Sequence, residues 1–185
     1  MRFFVLLPAL LISFAAYAAP QQERHSDEIE RMLADKGLIG QLDQVRQTVT
    51  DRTSELVVTA IGFLGVPYRR GGNSAESGFD CSGFVRAMYN QTVGLVLPRR
   101  AVEQAAATQP VAQADLKPGD LVFFNTMRRA FSHVGIYVGE GKFIHSPRTG
   151  SQVRVEDMNG SYWQRRFDGA RRVQAAQGDA TKIGD

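Results

Sequence analysis

A series of short apolar segments separated by turn residues fills the second half of the chain and constrains its fold most. Leu121–Phe124, residues 134–138 and residues 142–146 have the length of strands. A Lys-Pro-Gly-Asp turn precedes the first segment, and Gly-Glu-Gly separates the other two. Upstream, apolar residues recur at helical spacing over 56–64. Helices followed by a run of short strands predict an α+β fold, with the helices packed on one side of an antiparallel sheet.

The same patterns divide the chain into regions. The folded domain is predicted to cover residues 53–174, beginning with a helix that Asp51 or Thr53 caps. Segments 152–155 and 170–173 are expected to add edge strands. Residues 19–52 are predicted to be a polar, partly helical leader or linker, broken by glycines at 37 and 40, and residues 175–185 a flexible tail.

The first eighteen residues are typical of a secretory signal peptide. Arg2 supplies a short positive start, an apolar run follows, and Ala16-Tyr17-Ala18 is a cleavage pattern. No cysteine lies near the expected cut, so a lipid-anchored N-terminus is not expected. The sequence therefore predicts an exported, periplasmic protein without a transmembrane segment after the signal is removed.

The length and net charge of the chain exclude few classes of function. A chain of 185 residues is long enough for one compact domain with a real core. The formal net charge of +3 is mild and does not indicate a nucleic-acid partner. It would suit an anionic polymer outside the inner membrane, although a solvated surface is the more common cause of such a charge.

The chain contains a single cysteine, Cys81, in the segment FDCSGF. An exported protein usually pairs its cysteines, so an unpaired thiol is either buried and inert or kept for chemistry. Asp80 is predicted to cap a helix that begins at Cys81, and the positive end of that helix favours the thiolate. Gly83, in the first turn, leaves room for a close approach to the backbone. A buried structural cysteine at a helix start remains the alternative at this point.

Two histidines lie on the strands of the predicted hairpin. A three-residue loop at 139–141 would pair Val138 with Lys142 and Ile136 with Ile144, which places His133 and His145 on one face. A two-residue loop would put the histidines on opposite faces. Apolar alternation favours the first register, with space over Gly135 for the cysteine helix. His133 is then the expected base and His145 the residue that orients it. A zinc site built from one thiolate and the two imidazoles is a weaker alternative.

These residues resemble the NlpC/P60 family of cysteine peptidases, which cut bacterial cell-wall peptides. The closing stretch, MNGSYWQRRFDGARRV, resembles the branch that contains the murein DD-endopeptidases of Gram-negative bacteria. The matching segments, in chain order, are GVPYRRGG (65–72), DCSGFV (80–85), LPRR (97–100) with Gln104, LKPGDLVFF (116–124), HVGIYVG (133–139) and FIHSP (143–147).

The resemblance implies a permuted papain-like fold with a five- or six-stranded sheet. It implies Cys81 as nucleophile, His133 as base, His145 as third polar member, and a Tyr68 hydroxyl that helps hold the oxyanion. It places three further residues along the substrate groove: Asp80, Ser82 and Arg99. Arg70 stands where the family commonly has an aromatic residue, which bears on the specificity of that groove.

The expected function is a peptidoglycan endopeptidase that hydrolyses the D-Ala–diaminopimelate crosslink without a cofactor or metal. Its partners would be peptidoglycan stem peptides and their crosslinks, and a regulatory adaptor or protease is left open. One alternative is cleavage between D-glutamate and the diamino acid within a stem peptide. Another is a non-catalytic wall-binding module, against which the presence of both the thiol and the base argues.

Overall fold

A computed structural model describes residues 38–174 of the chain. The predicted signal peptide, the leader as far as residue 37 and the tail at 175–185 lie outside the described residues. The chain divides into two units, Met1–Val45 and Arg46–Asp185, and all the features below belong to the second, apart from the first residues of the first helix. Within the described range, no helix is both long enough and apolar enough to cross a membrane.

Four α-helices and one 3₁₀ turn are described. Their bounds are α1 Leu38–Gly62, α2 Cys81–Val93, α3 Ala101–Ala106, the 3₁₀ turn Gln113–Asp115 and α4 Ser161–Gln164. The prediction that a helix begins at Asp51 or Thr53 is wrong, because α1 runs through both positions. No glycine or proline interrupts 41–61, and the moderate helix propensities of Asp and Thr do not end a helix. The predicted break at Gly40 is also absent.

The described residues form eight strands, with the bounds β1 Asn73–Ser74, β2 Gly78–Phe79, β3 Gln109–Val111, β4 Leu121–Phe124, β5 His133–Gly139, β6 Lys142–His145, β7 Arg154–Asp157 and β8 Phe167–Arg172. Six of them form one antiparallel sheet, in the order β3-β8-β4-β5-β6-β7. The separate two-stranded hairpin β1–β2 precedes the cysteine helix. The predicted α+β class and sheet size are confirmed.

The edges of the sheet differ from the prediction. β7 is an edge strand as expected, although it begins two residues later and extends to Asp157. β8 is not an edge strand, since it lies between β3 and β4, and its Ala170 is fully buried. β3 was not predicted and forms the other edge. Pairing between strands that are distant in sequence leaves no local pattern, so hairpin reasoning misses it.

The hairpin β5–β6 combines features of both registers considered above. Ile136 pairs with Ile144 as predicted, but Lys142 pairs with Gly139 and not with Val138, and the register shifts between Tyr137 and Gly139. A two-residue turn of Glu140 and Gly141 closes the hairpin, and both have positive φ, as type I′ turns require. The extra residue of the bulge restores the histidines to one face despite the short turn.

Hydrophobic clusters cover both faces of the sheet. One contains Phe84, Val85 and Met88 of α2 with Val134 and other apolar residues of β4–β6. The second, on the face of the histidines, contains six buried residues: Val122, Phe124, Phe143, Met158, Trp163 and Ala170. The prediction that the cysteine helix fills the space over Gly135 is therefore wrong, because α2 packs on the other face of the sheet. A Cβ at Gly135 would meet Phe143 Cδ2 at 2.6 Å and His145 Cβ at 3.1 Å.

Candidate active site

The helix α2 begins at Cys81, and Asp80 is its N-cap, as predicted. The Asp80 carboxylate accepts a hydrogen bond of 2.7 Å from the backbone N–H of Gly83. A Cβ at Gly83 would stand 2.1 Å from the carbonyl oxygen of Gly72. The close approach expected at this glycine is therefore made by the loop that precedes the β1–β2 hairpin. This contact holds the start of the cysteine helix against the loop.

The Asp80 carboxylate is surrounded by hydrogen-bond donors. Arg99 Nη1 donates to Oδ1 at 3.0 Å and Nη2 to Oδ2 at 2.6 Å, and the Gly71 N–H donates to Oδ2 at 3.0 Å. Arg99 Nη1 also lies 3.0 Å from the Ser82 hydroxyl. Asp80, Ser82 and Arg99, expected in the groove, thus form one connected cluster beside Cys81.

Gln104 anchors the loop that carries Arg99. Its fully buried side chain donates to the carbonyl of Ser82 at 3.0 Å and to that of Pro98 at 2.9 Å. These two bonds join the first turn of α2 to the residue just before Arg99. The position of the guanidinium is therefore coupled to the helix that presents the thiol.

The pKa of the Cys81 thiol is raised in the folded protein, whereas the sequence predicted a helix start that favours the thiolate. Burial, and next the Asp80 carboxylate, raise the pKa of the thiol to about 11. Hydrogen bonds from the backbone amides of Val134, Ser82 and Cys81 itself lower the pKa by less. The residue that caps the helix places a negative charge beside the sulfur and so opposes the helix dipole. The free protein consequently holds a neutral thiol at physiological pH.

Tyr68 reaches the same place from another segment. Its backbone forms a bridge with Phe79, two residues before Cys81. Burial, followed by the charges of Cys81 and Asp80, raises the pKa of its hydroxyl, while Arg70 and Arg99 lower it. The half-buried phenol therefore lies within electrostatic range of the thiol and of the Asp80–Arg99 pair.

His133 and His145 form a direct pair. His133 Nε2 and His145 Nδ1 are 2.6 Å apart, and the rings meet edge to face with centroids 4.9 Å apart. His133 is 4% exposed and His145 is fully buried. The shared face predicted from the sequence therefore brings the two imidazoles into hydrogen-bond contact.

The helix and the histidine strand meet at Val134, the residue that follows His133. Its backbone N–H lies close enough to the Cys81 sulfur to lower the pKa of the thiol, and its side chain lies in the hydrophobic cluster that α2 packs against. Cys81 packs against the same cluster, while the two imidazoles contact Trp163. The start of β5 therefore adjoins both the thiol and the histidine pair.

Both imidazoles are neutral at physiological pH. Burial, and then the proximity of His145, lower the pKa of His133 to about 3, with a smaller opposing effect of Glu156. Burial also lowers the pKa of His145, while Glu156 raises it. A neutral His133 has a lone pair available for a proton, which is the state that a base requires.

The sequence interpretation missed Glu156, which lies beside the histidine pair. Glu156 Oε1 is 3.5 Å from His145 Nε2, and Trp163 Nε1 donates a hydrogen bond to Glu156 Oε2. The predicted edge strand stopped at residue 155, one position short. The signal that would have revealed Glu156 is strand alternation, which places residues 154 and 156 on the histidine face once β7 pairs with β6.

The alternative of a metal site has no geometric support. Across residues 38–174, no three His, Cys, Asp or Glu side chains come together as ligands for an ion. His133 Nε2 and His145 Nδ1 are directed at each other, which removes two of the nitrogens that such a site would use.

The model of the NlpC/P60 family matches residues 65–172. The chain belongs to the NlpC/P60 family. This range includes the seven site residues that the resemblance implies and the whole six-stranded sheet. The family assignment made from the sequence motifs is confirmed, and the α+β fold is the one expected for an NlpC/P60 domain.

Known NlpC/P60 proteins are similar over the same domain. The chain is 49% identical to Murein DD-endopeptidase MepH of Escherichia coli (strain K12) over 60% of its own length and 42% of that protein. It is 42% identical to Gamma-DL-glutamyl hydrolase of Bacillus subtilis (strain 168) over 63% of its length and 28% of that protein. The chain thus spans less than half of the length of these two relatives.

A solved structure agrees with the fold. The crystal structure of the NlpC/p60 domain of peptidoglycan hydrolase SagA matches with a TM-score of 0.58 and 32% sequence identity. The match covers 65% of this chain and 98% of that domain. The part of the chain that resembles SagA is therefore a whole NlpC/P60 domain.

Proposed function

We propose that the protein is a peptidoglycan endopeptidase in which Cys81 is the nucleophile, His133 the base and His145 the residue that orients it. The observation that carries the proposal is the 2.6 Å contact between the two buried imidazoles, of which His133 directly precedes the strand residue whose N–H lies close to the Cys81 sulfur. A thiol, a base and an orienting group are the three parts that cysteine-peptidase chemistry requires.

The chemistry follows from the neutral state of both groups. His133 uses Nε2 toward His145, so Nδ1 is the nitrogen that takes the proton of the thiol. The sulfur attacks the carbonyl carbon of the amide, the C–N bond breaks, and the leaving amine takes that proton from His133. Water then attacks the thioester with His133 as base, which releases the carboxylic acid and restores the thiol.

The tetrahedral intermediate needs donors for its negative oxygen. We assign this role to the backbone N–H of Cys81 and the hydroxyl of Tyr68. The N–H lies at the start of a helix, where it has no intrahelical partner, and the hydroxyl lies within electrostatic range of the thiol. Donors held in place before the reaction stabilise the developing charge without reorganisation. Asp80, Ser82 and Arg99 are proposed to line the adjoining substrate groove.

The D-Ala–diaminopimelate crosslink is the bond that we propose is cut. Its support is the motif resemblance and the 49% identity to a protein named Murein DD-endopeptidase. The second candidate is the bond between D-glutamate and the diamino acid within a stem peptide. It is favoured by the 42% identity to a protein named Gamma-DL-glutamyl hydrolase.

The proposed location is the periplasm, where the substrate is found. Its support is the pattern of residues 1–18, in which a basic start, an apolar run and an Ala-x-Ala site are typical of a cleaved signal.

The test compares the purified protein with its Cys81→Ala variant on crosslinked peptidoglycan under reducing conditions. Chromatography and mass spectrometry of the muropeptides identify the products. Conversion of crosslinked dimers to monomers, only with Cys81 present, is the expected result. Shortened stem peptides would support the same mechanism and identify the second candidate bond as the one that is cut. Equal inactivity of both proteins on several wall types would overturn the enzyme assignment in favour of a wall-binding module.

A further inference from the structure

Glu156 occupies a defined place relative to His145. On strand β7 it pairs with Phe143 of β6, while His145 pairs with Arg154, so Glu156 is the diagonal neighbour of His145 on the same face. Its Oε1 is 3.5 Å from His145 Nε2, which is within ion-pair range. His145 Nε2 is buried and has no hydrogen-bond partner among residues 38–174. The carboxylate is thus the group that faces this nitrogen.

The carboxylate is itself held on two sides. Trp163 of α4 donates its indole N–H to Oε2, and the Arg154 guanidinium donates to Oε1. The Glu156 side chain is 22% exposed. The proximity of His145, followed by the bonds from Trp163 and Arg154, lowers the pKa of Glu156 to about 2 against the opposing effect of burial. Glu156 is therefore fixed in position and ionised throughout the neutral range.

An ionised carboxylate only accepts hydrogen bonds. His145 facing Glu156 is accordingly favoured in the tautomer with its proton on Nε2, which leaves Nδ1 as an acceptor. His133 Nε2, 2.6 Å from that acceptor, must then carry a proton and donate it. The same tautomer of His133 leaves Nδ1 unprotonated. One carboxylate thus determines the proton positions on two successive rings.

We propose that Glu156 is a positioning residue that selects the tautomers of His145 and His133, so that His133 keeps a free Nδ1 lone pair for the thiol proton. The inference rests on the proposed function, since it assigns Nδ1 of His133 as the base. In the opposite tautomers, His145 would donate from Nδ1 to His133 Nε2. His133 would then carry its proton on Nδ1 and could not act as a base there.

The first test is Glu156→Gln, which preserves shape and removes the charge. Glutamine has only one oxygen to accept hydrogen bonds from Trp163, Arg154 and His145. When its NH₂ group faces His145 Nε2, it donates to that nitrogen and favours the opposite tautomer. We expect kcat to fall about 10- to 100-fold with KM unchanged, a part of what a general base supplies. The matched control is Glu140→Gln, an exposed glutamate in the β5–β6 turn that loses the same charge, and its kcat should stay at the wild-type value.

The second test reads the tautomers directly, without turnover. Long-range ¹H–¹⁵N correlation spectra of ¹⁵N-labelled protein distinguish protonated from unprotonated ring nitrogens. In the wild type we expect the proton on Nε2 of both His133 and His145. In Glu156→Gln we expect protonated Nδ1 to appear on both rings. The Glu140→Gln spectrum should match the wild type.

The outcomes separate the two proposals. If wild-type rings already carry their protons on Nδ1, or if Glu156→Gln changes neither tautomers nor kcat, the role of Glu156 is overturned. A Glu156→Gln protein that loses kcat with unchanged tautomers would also overturn it and would indicate a structural effect. If the tautomers change as expected but the wild type cuts no peptidoglycan, Glu156 keeps its role in the histidine pair and the proposed function fails.

Discussion

Arg99 binds both carboxylate oxygens of Asp80, the residue that caps the cysteine helix, at distances of 3.0 and 2.6 Å. The side chain of Asp80 is 15% exposed and that of Arg99 is 37% exposed, so water shields the pair only in part. The negative charge of Asp80 beside the Cys81 thiol is therefore partly neutralised by Arg99. Even so, the Asp80 charge is the second largest cause of the raised thiol pKa, after burial.

Replacing Asp80 with Asn should make Cys81 more reactive toward iodoacetamide. Asparagine can still cap the helix but has no negative charge, so the pKa of the thiol should fall below its value of about 11. Well below the pKa, a fall of one unit means about tenfold more thiolate. The measurement is the alkylation rate between about pH 6 and pH 11, in which the wild-type rate should still be rising at about pH 10.

The matched control for this substitution is Asp115→Asn, an exposed carboxylate in the 3₁₀ turn, which should leave the alkylation profile unchanged. In urea-unfolded protein the Cys81 thiol has its ordinary pKa of 9.0, so its alkylation rate should level off above that pH. A wild-type rate that is already constant from about pH 6 to pH 8 would show a thiolate–imidazolium pair and contradict the expectation.

Gly83→Ala should destabilise the protein although the residue lies in a helix. Alanine ordinarily favours a helix by about 1 kcal/mol over glycine. Here its Cβ would stand 2.1 Å from the Gly72 carbonyl oxygen, so either the helix or the loop must move. We expect the free energy of unfolding in urea to fall by about 2 kcal/mol or more. Gly62→Ala, in the last turn of α1 with nothing within 4 Å, is the control and should be neutral or stabilising.

The free energy of unfolding should fall in acid. The pKa of His133 is about 3 in the folded state and 6.5 in its ordinary state, so between these values the unfolded chain binds more protons. Stability is therefore full above about pH 6.5 and declines toward pH 3, by up to about 1.4 kcal/mol per pH unit. Glu156 adds a decline from its ordinary pKa of 4.5 toward about 2.

Urea unfolding at about pH 7, 6, 5 and 4 measures this slope. The control is His133→Asn, which removes one titrating imidazole and should reduce the slope between about pH 6.5 and 4.5, leaving the part that His145 contributes. Equal slopes for the wild type and the variant would mean that His133 titrates at its ordinary pKa in the folded protein.

Tyr68→Phe should lower kcat on crosslinked peptidoglycan by about 100- to 1000-fold, the range typical when one oxyanion donor is removed. The phenylalanine ring keeps the packing next to Cys81 but cannot donate a hydrogen bond. Tyr162→Phe is the matched control, since that phenol is 47% exposed and its ring lies under Arg166. Activity of Tyr68→Phe within twofold of the wild type would remove the hydroxyl from the proposed oxyanion site.

Local patterns were sufficient to predict the parts of the site that depend on neighbours in sequence. The Asp80 cap and the start of α2 follow from adjacent residues. Apolar alternation identified the Ile136–Ile144 pair and the common face of His133 and His145. The bulge beside the two-residue turn was not predictable. A three-residue loop without a bulge and a two-residue turn with a bulge both pair Ile136 with Ile144.

Features that depend on distant segments could not be predicted in this way. β8 pairs with β4 and β3 across long stretches of chain, and no residue of β8 encodes those partners locally. The position of Glu156 depends on which strand neighbours β6. The raised pKa of Cys81 depends on how deeply the folded protein buries the sulfur, whereas the sequence showed only a helix start and its dipole.

Trp163, the only tryptophan of the chain, stacks on His133 with ring centroids 5.8 Å apart and meets His145 edge-on at 5.3 Å. Because an imidazolium quenches indole fluorescence more strongly than a neutral imidazole, the emission of this residue depends on the charge of both rings. The protein therefore contains a single built-in fluorophore in contact with the histidine pair. Its intensity can follow the protonation of these rings in solution in real time, without any attached label.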